Sequence, residues 1–204
     1  MEIQKPGPIN TGSTNLSENE KLLLNVTKME AGCFAILRKD FNYIEYEADT
    51  AVIKPGDVNY NIYIILKGIA DSYCINKNGE RRYIYIQSPG FVVTDSHTLV
   101  NGQPAREFYI MCKNSSAAVI DSETLRQQAL RHPEVADWYI RLLHRGLGTI
   151  CSRLESFIRD DAKERLLNLF NENPELFSKA LKKKIAGYLG IEPSTLSRLL
   201  SSKL

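Results

Sequence analysis

Residues 182–200 read Lys-Lys-Lys-Ile-Ala-Gly-Tyr-Leu-Gly-Ile-Glu-Pro-Ser-Thr-Leu-Ser-Arg-Leu-Leu. The chemistry open to this stretch is recognition of a polyanion. Lys182, Lys183 and Lys184 supply ammonium groups suited to phosphate oxygens. Ser194, Thr195 and Ser197 supply hydroxyls, and Arg198 carries a planar fork that matches O6 and N7 of guanine. A lysine run alone is usually a solvated face, so the spacing has to carry the inference. Ala186 is small enough for two helices to touch, and Gly190, four residues on, tolerates the positive φ of a tight turn. Pro193 fixes the first turn of a second helix. Ile185, Leu189, Ile191, Leu196 and Leu199 supply the apolar contact between the helices. The stretch therefore predicts a helix-turn-helix with Ser194, Thr195, Ser197 and Arg198 directed at base edges of double-stranded DNA and the lysines at phosphates. The alternative is a helical hairpin that only caps the rest of the chain.

The charge distribution agrees with the first reading. The net charge is +2, but residues 141–204 hold 12 Lys and Arg against 7 Asp and Glu, while the remainder is acidic. A basic rear suggests that this end meets a polyanion. Apolar residues make up 43% and charged residues 25% of 204, which is ordinary globular composition. The longest apolar run, Ile62 to Leu66, is far short of the ~20 residues of a membrane span. The N-terminus lacks a basic region followed by an apolar core, so no secretory signal is read. Cys33, Cys74, Cys112 and Cys151 form no close pair, which argues for reduced thiols and against a zinc site. A cytoplasmic protein with no membrane partner and no bound metal is expected.

The elements that must position the C-terminal residues follow from periodicity. Residues 1–15, rich in Gly, Pro, Ser, Thr and Asn, read as a flexible arm. Leu22, Leu23, Val26 and Met29 give residues 17–30 a helical period. Residues 33–120 change to short β-type runs. Lys54-Pro55-Gly56-Asp57 is a turn, and Asn76-Lys77-Asn78-Gly79 reads as a hairpin with a type I′ turn. Regular spacing predicts a closed or rolled antiparallel sheet. From Asp121 the period is helical, and His132-Pro133-Glu134 opens a long helix. In it Ile140, Leu143, Leu147, Ile150, Leu154 and Phe157 follow the spacing 3, 4, 3, 4, 3 of a heptad seam. A parallel partner helix in a homodimer is preferred to packing on the chain's own β region. Gly146 and Gly148 are soft points or places of close backbone approach.

Order and motifs together resemble the Crp/Fnr family of bacterial transcription regulators, over roughly residues 30–204. The residues that carry the resemblance are Lys67-Gly68, Pro89-Gly90-Phe91, His132-Pro133-Glu134, Asp160-Asp161 and Ser194-Thr195-Leu196-Ser197-Arg198. The resemblance implies an α+β chain in four parts. These are an arm (1–15), a cyclic-nucleotide-binding-like β-roll sensor (16–131), a dimerisation helix (132–159) and a helix-turn-helix domain (160–204). It implies a non-enzymatic, homodimeric DNA-binding regulator, with RNA polymerase as a further partner. Its effector site would lie between roll and dimer helix, lined by Phe91, Thr94, Asp95, Arg106, Ile150 and Cys151.

The sequence departs from the family's pattern at that site. Family members that bind cyclic nucleotides place Gly-Glu soon after the Phe, for the ribose, and Arg-Ser/Thr-Ala about ten residues later, for the cyclic phosphate. Here Phe91 is followed by Val92-Val93-Thr94-Asp95, and the later stretch reads Ala105-Arg106-Glu107. Thr94 has no charge, Asp95 is one position out, Glu107 is repulsive, and the adenine-reading hydroxyl pair falls on Ile150 and Cys151. No cofactor is expected and cAMP is disfavoured; a less polar ligand, anions included, would suit the lining, or none. The iron–sulfur cysteine spacing fails. A haem ligand among His97, His132, His144 or a cysteine is left open. A metal oxygenase barrel fails for lack of clustered histidines. The DNA-reading end stops soon after the reader helix, so a reduced or absent wing and salt-sensitive binding are expected. The competing function is a nucleotide- or small-molecule-binding protein that regulates another protein.

Overall fold

The computed structural model describes residues 16–201; the expected arm over 1–15 lies outside the described residues. Helix α1 (Glu18–Thr27) opens with a capping box in which Ser17 and Glu20 satisfy each other's backbone N–H groups. Glu20 also accepts from Arg38 at 2.6 Å, which ties α1 to the next helix, α2 (Ala31–Leu37). The sequence pattern puts residues 33–37 in the β region, but they are helical. At seven residues, α2 is too short to show a period, and it is held by burial of Cys33, Phe34 and Leu37.

Eight strands follow in two four-stranded antiparallel sheets. One has the order β1 (Asn42–Tyr46), β8 (Ser115–Asp121), β3 (Asn61–Lys67), β6 (Val92–Val93). The other has the order β2 (Thr50–Ile53), β7 (Phe108–Met111), β4 (Ala70–Ile75), β5 (Arg81–Gln87). Strand β3 explains the apolar run. Ile62, Ile64 and Leu66 face α1, α2 and the long helix, while Tyr63 and Ile65 face the core between the sheets. A strand buried on both faces loses the usual alternation. The β4–β5 hairpin forms, but by a different turn. Only Gly79 has positive φ, at 78°, and its N–H donates to Asn76 O, so a type I turn and a glycine bulge replace the expected type I′ turn. The Asn76 side chain stabilises this turn by accepting from Asn78 and Glu80 N–H.

A short helix α3 (Ser96–Asn101) interrupts the roll, and α4 (Ser122–Arg131) leads into α5 (Pro133–Arg159). Helix α5 has two apolar faces. Val135, Trp138 and Leu142 are buried on the roll, while Ile140, Leu143, Leu147, Ile150 and Leu154 remain 45–62% exposed. Asp160 caps the end of α5, and Asp161 forms the capping box that starts α6 (Ala162–Glu172). Then come α7 (Leu176–Lys179), α8 (Lys182–Leu189) and α9 (Pro193–Ser201). Among the described residues no strand lies between 160 and 201, so no reduced wing precedes α9. Among them, too, no helix is long and apolar enough to cross a membrane.

Candidate functional site

Helices α8 and α9 meet at Gly190, whose φ is 69° and whose N–H donates to carbonyls of Ala186 and Gly187. Ile185, Ala186, Leu189 and Leu196 are buried with Leu166, Leu169 and Leu176 of α6 and α7. That packing turns the other side of α9 outward. Ser194, Ser197 and Arg198 are exposed at helical spacing, and Thr195 is half-buried. Among the described residues the Arg198 side chain makes one hydrogen bond, at 3.3 Å to the Thr195 hydroxyl.

The three lysines separate. Lys182 and Lys183 are exposed, whereas Lys184 is 8% exposed. Its Nζ lies 2.6 Å from Asp71 Oδ2 and 3.5 Å from Asp49 Oδ2, and donates to Cys112 Sγ at 3.3 Å. The expected phosphate contact of Lys184 is therefore corrected: here it joins α8 to the roll. The reason is helical phase. Lys184 and Gly187 share the face that docks on β5, and a Cβ at Gly187 would stand 2.6 Å from the Tyr83 ring. Burial opposes the Lys184 charge, but the hydrogen bond and the charge of Asp71 outweigh it and hold its pKa above the usual value. Burial and the neighbouring Asp71 push the Cys112 thiol up to about 12.

Arg153 of α5 strengthens the same junction. It donates to Tyr188 O at 3.0 Å and Tyr83 O at 3.4 Å, and its guanidinium lies over the rings of Tyr188 and Phe157. Burial pushes its pKa down. Phe157 departs from the other seam residues. Its ring packs on Gly190 and takes Arg165 on a face, so in this arrangement it links α5 to the helix-turn-helix. The hairpin alternative was thus half right, since α8 docks on the roll while α9 keeps a polar outer face.

A second feature is a cavity of about 570 Å³ between the roll and α5. Thr94 and Ile150 line it as expected; Phe91, Asp95, Arg106 and Cys151 do not. Phe91 instead lines a separate cavity beside Arg153 and α6. Asp95 is consumed as the N-cap of α3: it accepts from Thr98 N at 2.9 Å and from Tyr109 Oη at 3.3 Å. Arg106 is exposed because Ala105 and Glu107 take the inward positions, and a one-residue displacement along an extended chain reverses the face. Cys151 is exposed, about a quarter-turn of helix from Ile150. Residues not foreseen as lining include Tyr85, Tyr109, Leu142 and Leu147. The helical period back from Ile150 pointed to Leu147, and the strand period pointed from Glu107 to Tyr109. His97 and His144 also line it, and among the described residues no group of three or more metal-ligating side chains is present.

Residues 43–132 match the family model described as the cyclic nucleotide-binding domain. No curated protein sequence matches the chain. Among solved structures, FixK2 from Bradyrhizobium japonicum superposes with a TM-score of 0.66 at 21% identity, covering 79% of this chain and 83% of that one. The c-di-GMP-responsive global regulator CLP from Xanthomonas campestris gives 0.64 at 17% identity, covering 85% and 91%. A regulator from Eubacterium rectale assigned to the Crp/Fnr family gives 0.62 at 14% identity, covering 90% and 87%. Residues 43–132 are accordingly similar to the cyclic nucleotide-binding domain, and the chain shares the fold of these solved structures.

Proposed function

We propose that the chain is a homodimeric, sequence-specific DNA-binding transcription regulator whose reader is α9 and whose β-roll is an effector domain. The observation that carries this reading is the outward face of α9. Ser194, Ser197 and Arg198 stand exposed together on α9, and Lys182 and Lys183 are exposed on α8, on a helix pair whose other side packs into a core. Lys182 and Lys183 reach phosphates, and Arg198 reads a base. The exposed seam Ile140, Leu143, Leu147, Ile150 and Leu154 receives the same helix of a second copy, which sets two readers on one operator. Full coverage of each half-exposed Leu or Ile adds on the order of 1 kcal/mol. The relatives named as regulators share this fold, which supports the reading. The test is to sequence genomic fragments retained by the purified full chain. An enriched inverted repeat is expected; retention without a common sequence would contradict the proposal.

A further inference from the structure

The cavity between the roll and α5 has a lining unlike that required by a cyclic phosphate. Among the described residues no Lys or Arg lines it, and its basic side chains are His97 and His144. Its walls are mainly Val92, Val93, Leu142, Leu143, Leu147 and Ile150. Its polar groups are gathered on the facing sheet. The register sets Tyr85, Ser72 and Tyr109 side by side across β5, β4 and β7, and Glu107 lies two residues from Tyr109 on the same face. Ser72 is 2% exposed, and its Oγ has no hydrogen-bond partner. Such a group in a native interior calls for an occupant that satisfies it. Glu107 is half-buried; Tyr109 hydrogen-bonds to it and His97 lies near it, but no Lys or Arg pairs with it among the described residues. Asp71, the other acid at the cavity, is already matched by Lys184.

We infer that this cavity takes an apolar amine: a mainly hydrocarbon or aromatic body against α5 and β6, with one ammonium group donating to Glu107 and to Ser72 Oγ. The inference rests on the reading of the roll as an effector domain. An anion here would meet Glu107 and Asp71 with no Lys or Arg in the lining to offset it, and a poorly compensated buried charge is disfavoured. An ammonium group supplies both the missing charge and the missing donor. The volume, about 570 Å³, is that of a small-ligand site. Ser72 and Asp71 are neighbours on β4 and both border the cavity, while the Asp71 carboxylate is held by Lys184 of α8. A ligand that shifts β4 at Ser72 therefore acts one residue from the contact that docks the reader.

The experiment is calorimetry on the full chain with matched probes: tryptamine and octylamine, the carboxylates indole-3-propionate and octanoate, and cAMP. The amines are expected to bind, with Glu107→Gln weakening them roughly tenfold or more and Ser72→Ala weakening them less. The exposed Arg106→Ala change should leave binding unaltered and controls for nonspecific loss. Tighter binding of a carboxylate or of cAMP, equal amine affinity in Glu107→Gln, or no amine binding up to millimolar concentration would overturn the inference. DNA retention is measured on the same samples. Retention without amine binding sinks the ligand assignment alone, whereas amine binding without DNA retention sinks the regulator reading.

Discussion

Lys184 and Asp71 place a charge pair almost entirely out of water, with side chains 10% and 1% exposed. Removing one member leaves the other uncompensated, at a cost of roughly 3–5 kcal/mol, while replacing both by apolar residues is near neutral. Lys184→Met should therefore lower the denaturation midpoint strongly, and Lys184→Met with Asp71→Leu should recover most of it; an equal loss in both would show that the pair is not coupled. Thiol labelling reports the same contact. Cys151 is exposed and should react quickly with iodoacetamide, while Cys112, buried and with its pKa pushed up to about 12, should react slowly until Lys184→Met frees it. Rapid labelling of Cys112 in the unaltered protein would contradict the docked arrangement. At this scale the sequence was informative only where local period sets direction. Ser194, Ser197 and Arg198 were legible because one helix face can be read from spacing. Lys184 was not, because its partner Asp71 is 113 residues away. Arg106 and Asp95 were misplaced because the family's spacing was carried over one position out of phase.

Helix α5 is the element on which the proposed dimer turns. Its seam was legible as a strict heptad over Ile140 to Leu154, and the structure leaves those positions half-exposed. The second apolar face, Val135, Trp138 and Leu142, was not separated from the seam, because both fit helical periods on one long segment. Leu154→Glu is the cleaner test, since Leu147 also lines the cavity. We expect Leu147→Glu with Leu154→Glu, and to a lesser degree Leu154→Glu alone, to yield monomers in sedimentation at micromolar concentration, with loss of operator affinity. A folded monomer before any substitution would refute the dimer. The short helices α2 and α3 escaped the sequence reading for a related reason. At seven and six residues they complete barely two turns, and they are fixed by burial and by the Asp95 cap.

In the whole molecule, the C-terminal helices share a core with the roll: Ile69, Ile86 and Cys112 pack with Ile185, Leu189 and Leu196. Composition and charge asymmetry distinguish a basic C-terminal end from an acidic front, but do not show that the two are docked, because contacts between distant segments leave no period in the sequence. Sequence recognition turns on which helix enters the groove. Arg198→Ala should cost about 1–3 kcal/mol and relax preference at one base position per half-site. Lys182→Ala should weaken all sequences alike and lower the salt slope by about one unit per site. The half-sites should be centred roughly 10 base pairs apart. The most direct measurement is a binding titration of these two variants against a library of operator sequences at two salt concentrations. The account predicts altered base preference for Arg198→Ala and altered salt dependence for Lys182→Ala; unchanged preference in Arg198→Ala with changed preference in Lys182→Ala would put the wrong helix in the groove and contradict it.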